Sequence, residues 1–129
     1  MTKKLKVGIA GYGVVGTRRR NFIDLHPQLE TIAVCDRKFS ETGTFDDGVL
    51  YFQNYLDLLK TPLDLLFICL TNDIAPEVTM AGLNCGLHVF CEKPFCLVAD
   101  QARTALDTLA SKGLKVGIGH NRRFSPNAI

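Results

Sequence analysis

Gly11, Gly13 and Gly16, with Tyr12, Val14 and Val15 between them, bring bare main chain to one bend. A GxGxxG run alone is a weak signal, because glycines also serve ordinary turns. Its surroundings strengthen it: the apolar run Val7 to Ala10 leads in, a helical pattern leads out, and a second apolar run ends at Cys35 with Asp36 directly after. In that setting Gly11 permits a tight turn, and Gly13 lets main-chain N–H groups from Tyr12 through Val15 approach a diphosphate. Gly16 lets the following helix pack closely on the strand. The helix N-terminus adds partial positive charge. Asp36 is placed to accept hydrogen bonds from ribose hydroxyls and to repel a 2′-phosphate, which favours NAD. Arg37 and Lys38 could pair with that phosphate, so NADP is the alternative.

Two further polar groups follow apolar runs. Thr71-Asn72-Asp73 comes after Leu63 to Leu70, and Cys91-Glu92-Lys93-Pro94 closes the run from Leu87. In open parallel sheets ligands sit at the carboxyl ends of strands, where both groups fall. A carboxylate, an ammonium and a proline together are costly for a bare loop, which points Glu92 and Lys93 toward function. The Thr71 to Asp73 group is expected to cap the next helix from Ile74.

The elements that must hold these residues can be read from apolar spacing. Runs rich in Val, Ile and Leu recur at 5–10, 29–35, 49–52, 63–70, 87–91 and 114–119. Several are continuous rather than alternating, as expected of parallel strands covered on both faces. Between them lie helical patterns. One from Val14 to Leu25 shows Val15, Phe22 and Ile23 on one face, and a short one over 54–60 has Asn54 as N-cap. Others from Ile74 to Cys85 and from Ala99 to Ser111 are each followed by a glycine, Gly86 and Gly113. Ser40 to Gly48 reads as a surface loop. Of Arg18, Arg19 and Arg20, two are expected to be solvated and one to pack along its stem. Strands alternating with helices imply an α/β architecture, a doubly wound, mostly parallel sheet of about six strands with helices on both faces.

A chain of 129 residues, 47% hydrophobic and 22% charged, has the size and composition of one globular domain. A formal charge of +2 creates no field able to hold nucleic acid or an anionic membrane. The start, MTKKLKVGIAGYG, has too short an apolar stretch for a signal peptide, so a cytoplasmic location is expected. Five cysteines without CxxC spacing indicate neither a disulfide framework nor a zinc site. Cys35, Cys69 and Cys91 lie in apolar runs and read as small buried hydrophobes. Among the histidines, His26 is expected to be exposed, and His88 and His120 structural. Ser125-Pro126 announces a helix that Ile129 leaves unbuilt, which gives the expectation that residues 1–129 are the front part of a longer polypeptide.

Taken together, GIAGYGVVG, the Asp after the second strand, LTNDIAPEV, GLHVFCEKP and HNRRFSP resemble, in order and spacing, the glucose-fructose oxidoreductase, inositol dehydrogenase and rhizopine-catabolism (Gfo/Idh/MocA) family. The resemblance is to that family's N-terminal Rossmann domain and covers nearly the whole chain. It implies that Glu92 lies beside the nicotinamide ribose, that Lys93 lies beside the nicotinamide and the reacting carbon as the catalytic residue, and that Asn72 lines the groove. Arg122 or Arg123 would border the nicotinamide end. The chain departs from the family pattern at Leu70-Thr71, where many members have Thr-Pro, and at Ala75, where many have His. Thr71 could still offer a hydroxyl. The family's C-terminal substrate domain is expected to lie beyond residues 1–129.

The function so implied is hydride transfer between a nicotinamide dinucleotide and a sugar or polyol-like substrate, with this chain as the cofactor domain and inactive by itself. A non-catalytic NAD-sensing or regulatory subunit is the alternative, since fold alone does not decide function. Self-association into a homo-oligomer through an uncovered sheet edge is compatible with either.

Overall fold

A computed structural model of the chain describes residues 3–71, 73–92, 107, 111, 113 and 116–119. The elements run β1 (Leu5–Ala10), α1 (Val14–Leu25), β2 (Leu29–Cys35), β3 (Gly43–Thr44), β4 (Leu50–Phe52), α2 (Tyr55–Leu58), β5 (Leu65–Ile68), α3 (Ala75–Asn84), β6 (His88–Glu92) and β7 (Val116–Gly119). They form a seven-stranded sheet in the order β3-β4-β2-β1-β5-β6-β7. Every pairing is parallel except β3 with β4. From β1 the chain builds outward through β2 and β4, then returns to the other side of β1 and builds the opposite way. The order reverses between β1 and β5, and in open sheets of this kind ligands bind outside the carboxyl ends of the strands at such a point.

Alternation along the strands divides the core into two layers. Val7 and Ile9 of β1 and Val34 of β2 pack with Ile23 of α1 on one face. Ala10, Ala33, Cys35, Leu66 and Ile68 face the other way, against Leu58 of α2 and Ala75, Val78 and Leu83 of α3. Helices therefore cover both faces, and strands enclosed in this way need the continuous apolar runs seen in the sequence.

Four expectations need correcting. The six expected strands are all present, but the Ser40–Gly48 segment is not only a surface loop: among the described residues it adds a seventh strand, β3, a two-residue antiparallel pairing against β4. Main-chain bonds make that turn, Phe45 N–H to Val49 O at 2.8 Å and Gly48 N–H to Phe45 O at 2.9 Å, with little side-chain signature. On α1 only Ile23 of the expected apolar face is buried; Val15 and Phe22 are exposed, Phe22 by 63%. Their place against the sheet side is shared by arginine stems. Two of the three arginines pack and one is solvated, the reverse of the expected count: Arg19 lies over the Phe90 ring at 5.5 Å, Arg20 is half-buried, and Arg18 is exposed. Finally, α3 has Ile74 as its N-cap and no side-chain cap. The Thr71 carbonyl takes the Ile74 and Ala75 N–H groups at 3.2 and 3.0 Å, and the Thr71 hydroxyl turns to Asp73.

Asn54 does cap α2, its side chain accepting from Asp57 N–H at 2.9 Å. Of the helix expected over 99–111, only Asp107 and Ser111 are described, both helical, and the rest lies outside the described residues. Among the described residues no helix is long and apolar enough to cross a membrane, and no group of His, Cys, Asp or Glu could hold a metal ion.

Candidate functional site: the glycine turn at the sheet's switch point

The turn after β1 is held by its neighbours on both sides. Gly11 N–H donates to Cys35 O at 2.9 Å at the end of β2, and Cys69 N–H donates to Ala10 O at 2.7 Å beyond β5. Gly11 has φ +95°, and a Cβ there would stand 2.5 Å from the Cys69 carbonyl oxygen. Both its conformation and its surroundings require glycine. At Gly16 a Cβ would stand 1.9 Å from the Gly11 carbonyl oxygen, so α1 could not lie so close to the turn with any side chain there.

Gly13 is different. Its φ is −86°, open to any residue, and a Cβ built on it meets nothing within 4 Å. No protein atom explains the missing side chain. Gly13 is the N-cap of α1, which has neither a side-chain cap nor an acidic residue in its first turn. The first N–H groups of a helix have no partner within it and carry the positive end of its dipole. They open here beside the exposed Val14 and Val15.

Tyr12 is pinned at both main-chain groups and at its ring. Its N–H donates to Asp36 Oδ2 at 2.7 Å, and Lys38 Nζ donates to its carbonyl. Its hydroxyl accepts from Arg20 Nη1 at 3.0 Å. The ring joins Phe39 and Phe45 at centroid distances of 6.3 and 6.0 Å. Arg20 donates further to Asp24 at 3.2 Å and to Asp47. Burial pulls the Arg20 guanidinium down, but its contacts with Tyr12, Asp24 and Asp47 outweigh this and raise its pKa above the ordinary arginine value. Neither Arg20 nor the side chain of Tyr12 stood out in the sequence as part of a site. The only hint was three consecutive arginines breaking an amphipathic stripe.

Asp36 is half-buried beyond β2, one oxygen on Tyr12 N–H and the other on Lys38 N–H at 2.9 Å. Each carboxylate oxygen keeps a lone pair for a further donor. Arg37 is exposed. Thr71 is exposed at the end of the Leu65–Ile68 strand's loop, across the switch point. Its hydroxyl, first, and the Arg37 charge, last, hold the Asp73 carboxyl below the usual carboxylate range. Glu92 ends β6, opposite Gly119 of β7. Asn72, Lys93 and Arg122 lie outside the described residues. The structure thus brings Gly11 through Gly16, Asp36, Arg37 and Thr71 to one end of the sheet.

Two of the described thiols, Cys35 and Cys91, are buried. Burial pushes the Cys35 thiol up to about 12, so it stays protonated and unreactive. Cys91 is wholly buried.

A parallel sheet that reverses order beside a glycine turn, with a carboxylate at the end of the second strand, defines a dinucleotide-binding domain of the Rossmann type. Residues 5–120 match the Gfo/Idh/MocA family model, described as the oxidoreductase family with an NAD-binding Rossmann fold, and the chain belongs to that family. It is 30% identical to the uncharacterized oxidoreductase YrbE of Bacillus subtilis, over 98% of this chain and 38% of that protein. It is 29% identical to D-glucoside 3-dehydrogenase of Escherichia coli, over 94% of this chain and 36% of that protein. With inositol 2-dehydrogenase of Salmonella typhimurium it shares 28% identity, over 97% of this chain and 39% of the relative. Among solved structures, apo scyllo-inositol dehydrogenase from Lactobacillus casei superposes with a TM-score of 0.78 at 23% identity, covering 97% of this chain and 39% of that one. An NAD-binding protein from Listeria innocua gives 0.78 at 24% identity, covering 95% and 37%. These structural likenesses carry the fold. The chain spans less than two-fifths of the length of these relatives.

Proposed function

We propose that residues 1–129 are the cofactor domain of an NAD-dependent oxidoreductase that moves a hydride between nicotinamide and the carbinol carbon of a sugar or polyol-like substrate. The observation that carries this reading is Gly13. Fold and packing account for Gly11 and Gly16, whereas at Gly13 only a molecule outside the chain would be obstructed by a side chain. A diphosphate lying across the N-terminus of α1 is such a molecule, and the uncapped N–H groups there are its donors.

Two observations support NAD over NADP. Asp36, half-buried just beyond β2, would set a carboxylate beside the adenosine ribose and repel a 2′-phosphate. Lys38 Nζ is engaged with the Tyr12 carbonyl rather than standing open beside Asp36. The substrate class follows from the dehydrogenases of inositol and of a glucoside among the relatives.

The nicotinamide, when bound, supplies the hydride acceptor or donor. The chain's residues do the rest. The N–H groups of residues 13–15 would hold the diphosphate, the Tyr12 N–H being taken by Asp36; Asp36 would hold the ribose, and the family resemblance assigns Asn72, Thr71, Glu92 and Arg122 to the nicotinamide side. Lys93, assigned to the reacting carbon by the family resemblance, would accept the substrate hydroxyl proton as the neutral amine when the C–H hydride leaves, and its ammonium would return that proton in the reverse direction. Most acceleration comes from holding two reactants in contact, which needs the remainder of an enzyme of the relatives' length.

Calorimetric titration with NADH tests the reading. Gly13→Val is expected to weaken binding severely by filling the diphosphate position, and equal affinity in the two proteins would overturn it. In the complete enzyme Lys93→Met should lower turnover by about 10²–10⁴-fold while NADH still binds.

A further inference from the structure

Tyr12 sits between the first two glycines of the turn, and its fixed geometry is not a property of glycine. The peptide joining Tyr12 to Gly13 is planar and trans, so its carbonyl and the Gly13 N–H point in opposite directions. Holding the Tyr12 carbonyl with Lys38 therefore also aims the Gly13 N–H. On the other side of the residue, Asp36 holds the Tyr12 N–H. Both peptide planes at the centre of the turn are set by groups bonded to one residue.

What keeps Tyr12 itself in place is its ring. The hydroxyl accepts from Arg20 Nη1 at 3.0 Å, and the other end of the same guanidinium reaches Asp47. Asp47 in turn accepts from Val49 N–H at 3.1 Å, beside β4. The guanidinium also lies 5.9 Å from the Phe45 ring centre, and Phe45 and Phe39 pack against Tyr12. The Arg20 side chain is only 13% exposed. A planar cation with fixed fork geometry, half-desolvated and bonded at three places, is a rigid connector rather than a solvated charge.

From this juxtaposition we infer that Arg20 is a positioning residue for the dinucleotide: through the Tyr12 hydroxyl and Asp47 it ties the glycine turn to the β3–β4 hairpin and sets the direction of the amides that receive the diphosphate. Arg20 touches no part of the cofactor. Its influence falls on the adenosine-diphosphate half, and the β3–β4 hairpin becomes a functional part of the site although it lies at the far edge of the sheet. The inference rests on the dinucleotide reading above.

The test is a double-substitution cycle read by NADH fluorescence and by calorimetry with ADP-ribose. Arg20→Gln and Tyr12→Phe should each weaken NADH by about tenfold, and the double substitution by no more than either alone, because both remove the same contact. ADP-ribose, which lacks the nicotinamide, should lose affinity by the same factor. Arg20→Lys, which keeps the charge but not the fork, should recover only part of the loss. Additive losses, or a loss for Arg20→Gln with none for Tyr12→Phe, would show that Arg20 does not act through this hydroxyl. A loss for NADH without one for ADP-ribose would place its effect at the wrong end. Failure of the unsubstituted protein to bind either probe removes the dinucleotide reading and this inference together, whereas binding that Arg20→Gln leaves unmoved removes the inference alone.

Discussion

The Tyr12 N–H and the Asp36 carboxylate meet at 2.7 Å, so the residue proposed to hold the ribose also shapes the turn proposed to hold the diphosphate. Asp36→Ala should therefore act twice. It loosens the turn for either cofactor, and it removes the ribose acceptor and the repulsion of a 2′-phosphate. The absolute affinity for NADH should fall, and the ratio of NADPH to NADH affinity should rise by about 2 kcal/mol, or roughly thirtyfold. Parallel titrations with the two reduced cofactors measure this ratio. If it stays constant, Asp36 is not the discriminator.

The three glycines of the turn should separate into structural and ligand-directed positions. Gly16→Ala forces a Cβ against the Gly11 carbonyl oxygen, which backbone cannot yield cheaply, and should cost at least about 2 kcal/mol of stability. Gly13→Ala meets no protein atom and should cost less than about 1 kcal/mol, the N-cap preference for glycine over alanine. Urea denaturation of the two variants without cofactor gives the comparison. Equal losses would mean that Gly13 also serves the fold.

The legibility of this site in the sequence follows the range of the interactions that build it. β1, α1 and β2 stand at the ends expected from their apolar runs, because burial on both faces writes itself into adjacent residues. Gly11, Gly16 and Asp36 were readable for the same reason: strand, turn and helix are contiguous. Phe22 misled, since a helical period marks an apolar stripe without saying what covers it, and here Arg19 and Arg20 lay their stems inward instead. β3 is two residues long and rests on main-chain bonds, beneath any pattern in side chains. The pinning of Tyr12 draws partners from positions 20, 36 and 38, whose meeting depends on the finished sheet.

Thr31 in β2 carries a hydroxyl with a cost. It is 7% exposed and its Oγ1 has no hydrogen-bond partner among the described residues, although its N–H donates to Asp24 at 3.1 Å. A buried hydroxyl left unpaired is destabilising by about 1–3 kcal/mol. Thr31→Val keeps the shape and the main-chain bond while removing the unpaired group. Thermal unfolding should show a gain of about 1 kcal/mol. A lower melting temperature would mean that the hydroxyl is satisfied in solution.

Acid should weaken the tether between the glycine turn and the β3–β4 hairpin. The Asp47 carboxyl is held below its ordinary value, chiefly by the Val49 N–H and further by the Arg20 charge. A carboxylate whose folded pKa is depressed lends stability that is present above the unfolded value of about 3.9 and is lost as pH falls through the folded value. Asp73, depressed chiefly by the Thr71 hydroxyl, acts in the same direction. Stability measured by denaturant between pH 5 and the acid limit should therefore decline, and Asp47→Asn should flatten that decline because no proton is taken up at position 47. The Asn side chain can still accept from Val49 N–H, so the variant should remain folded at neutral pH with the Arg20 contact weakened. A pH slope identical in the two proteins would show that Asp47 is as free in the folded chain as in the unfolded one.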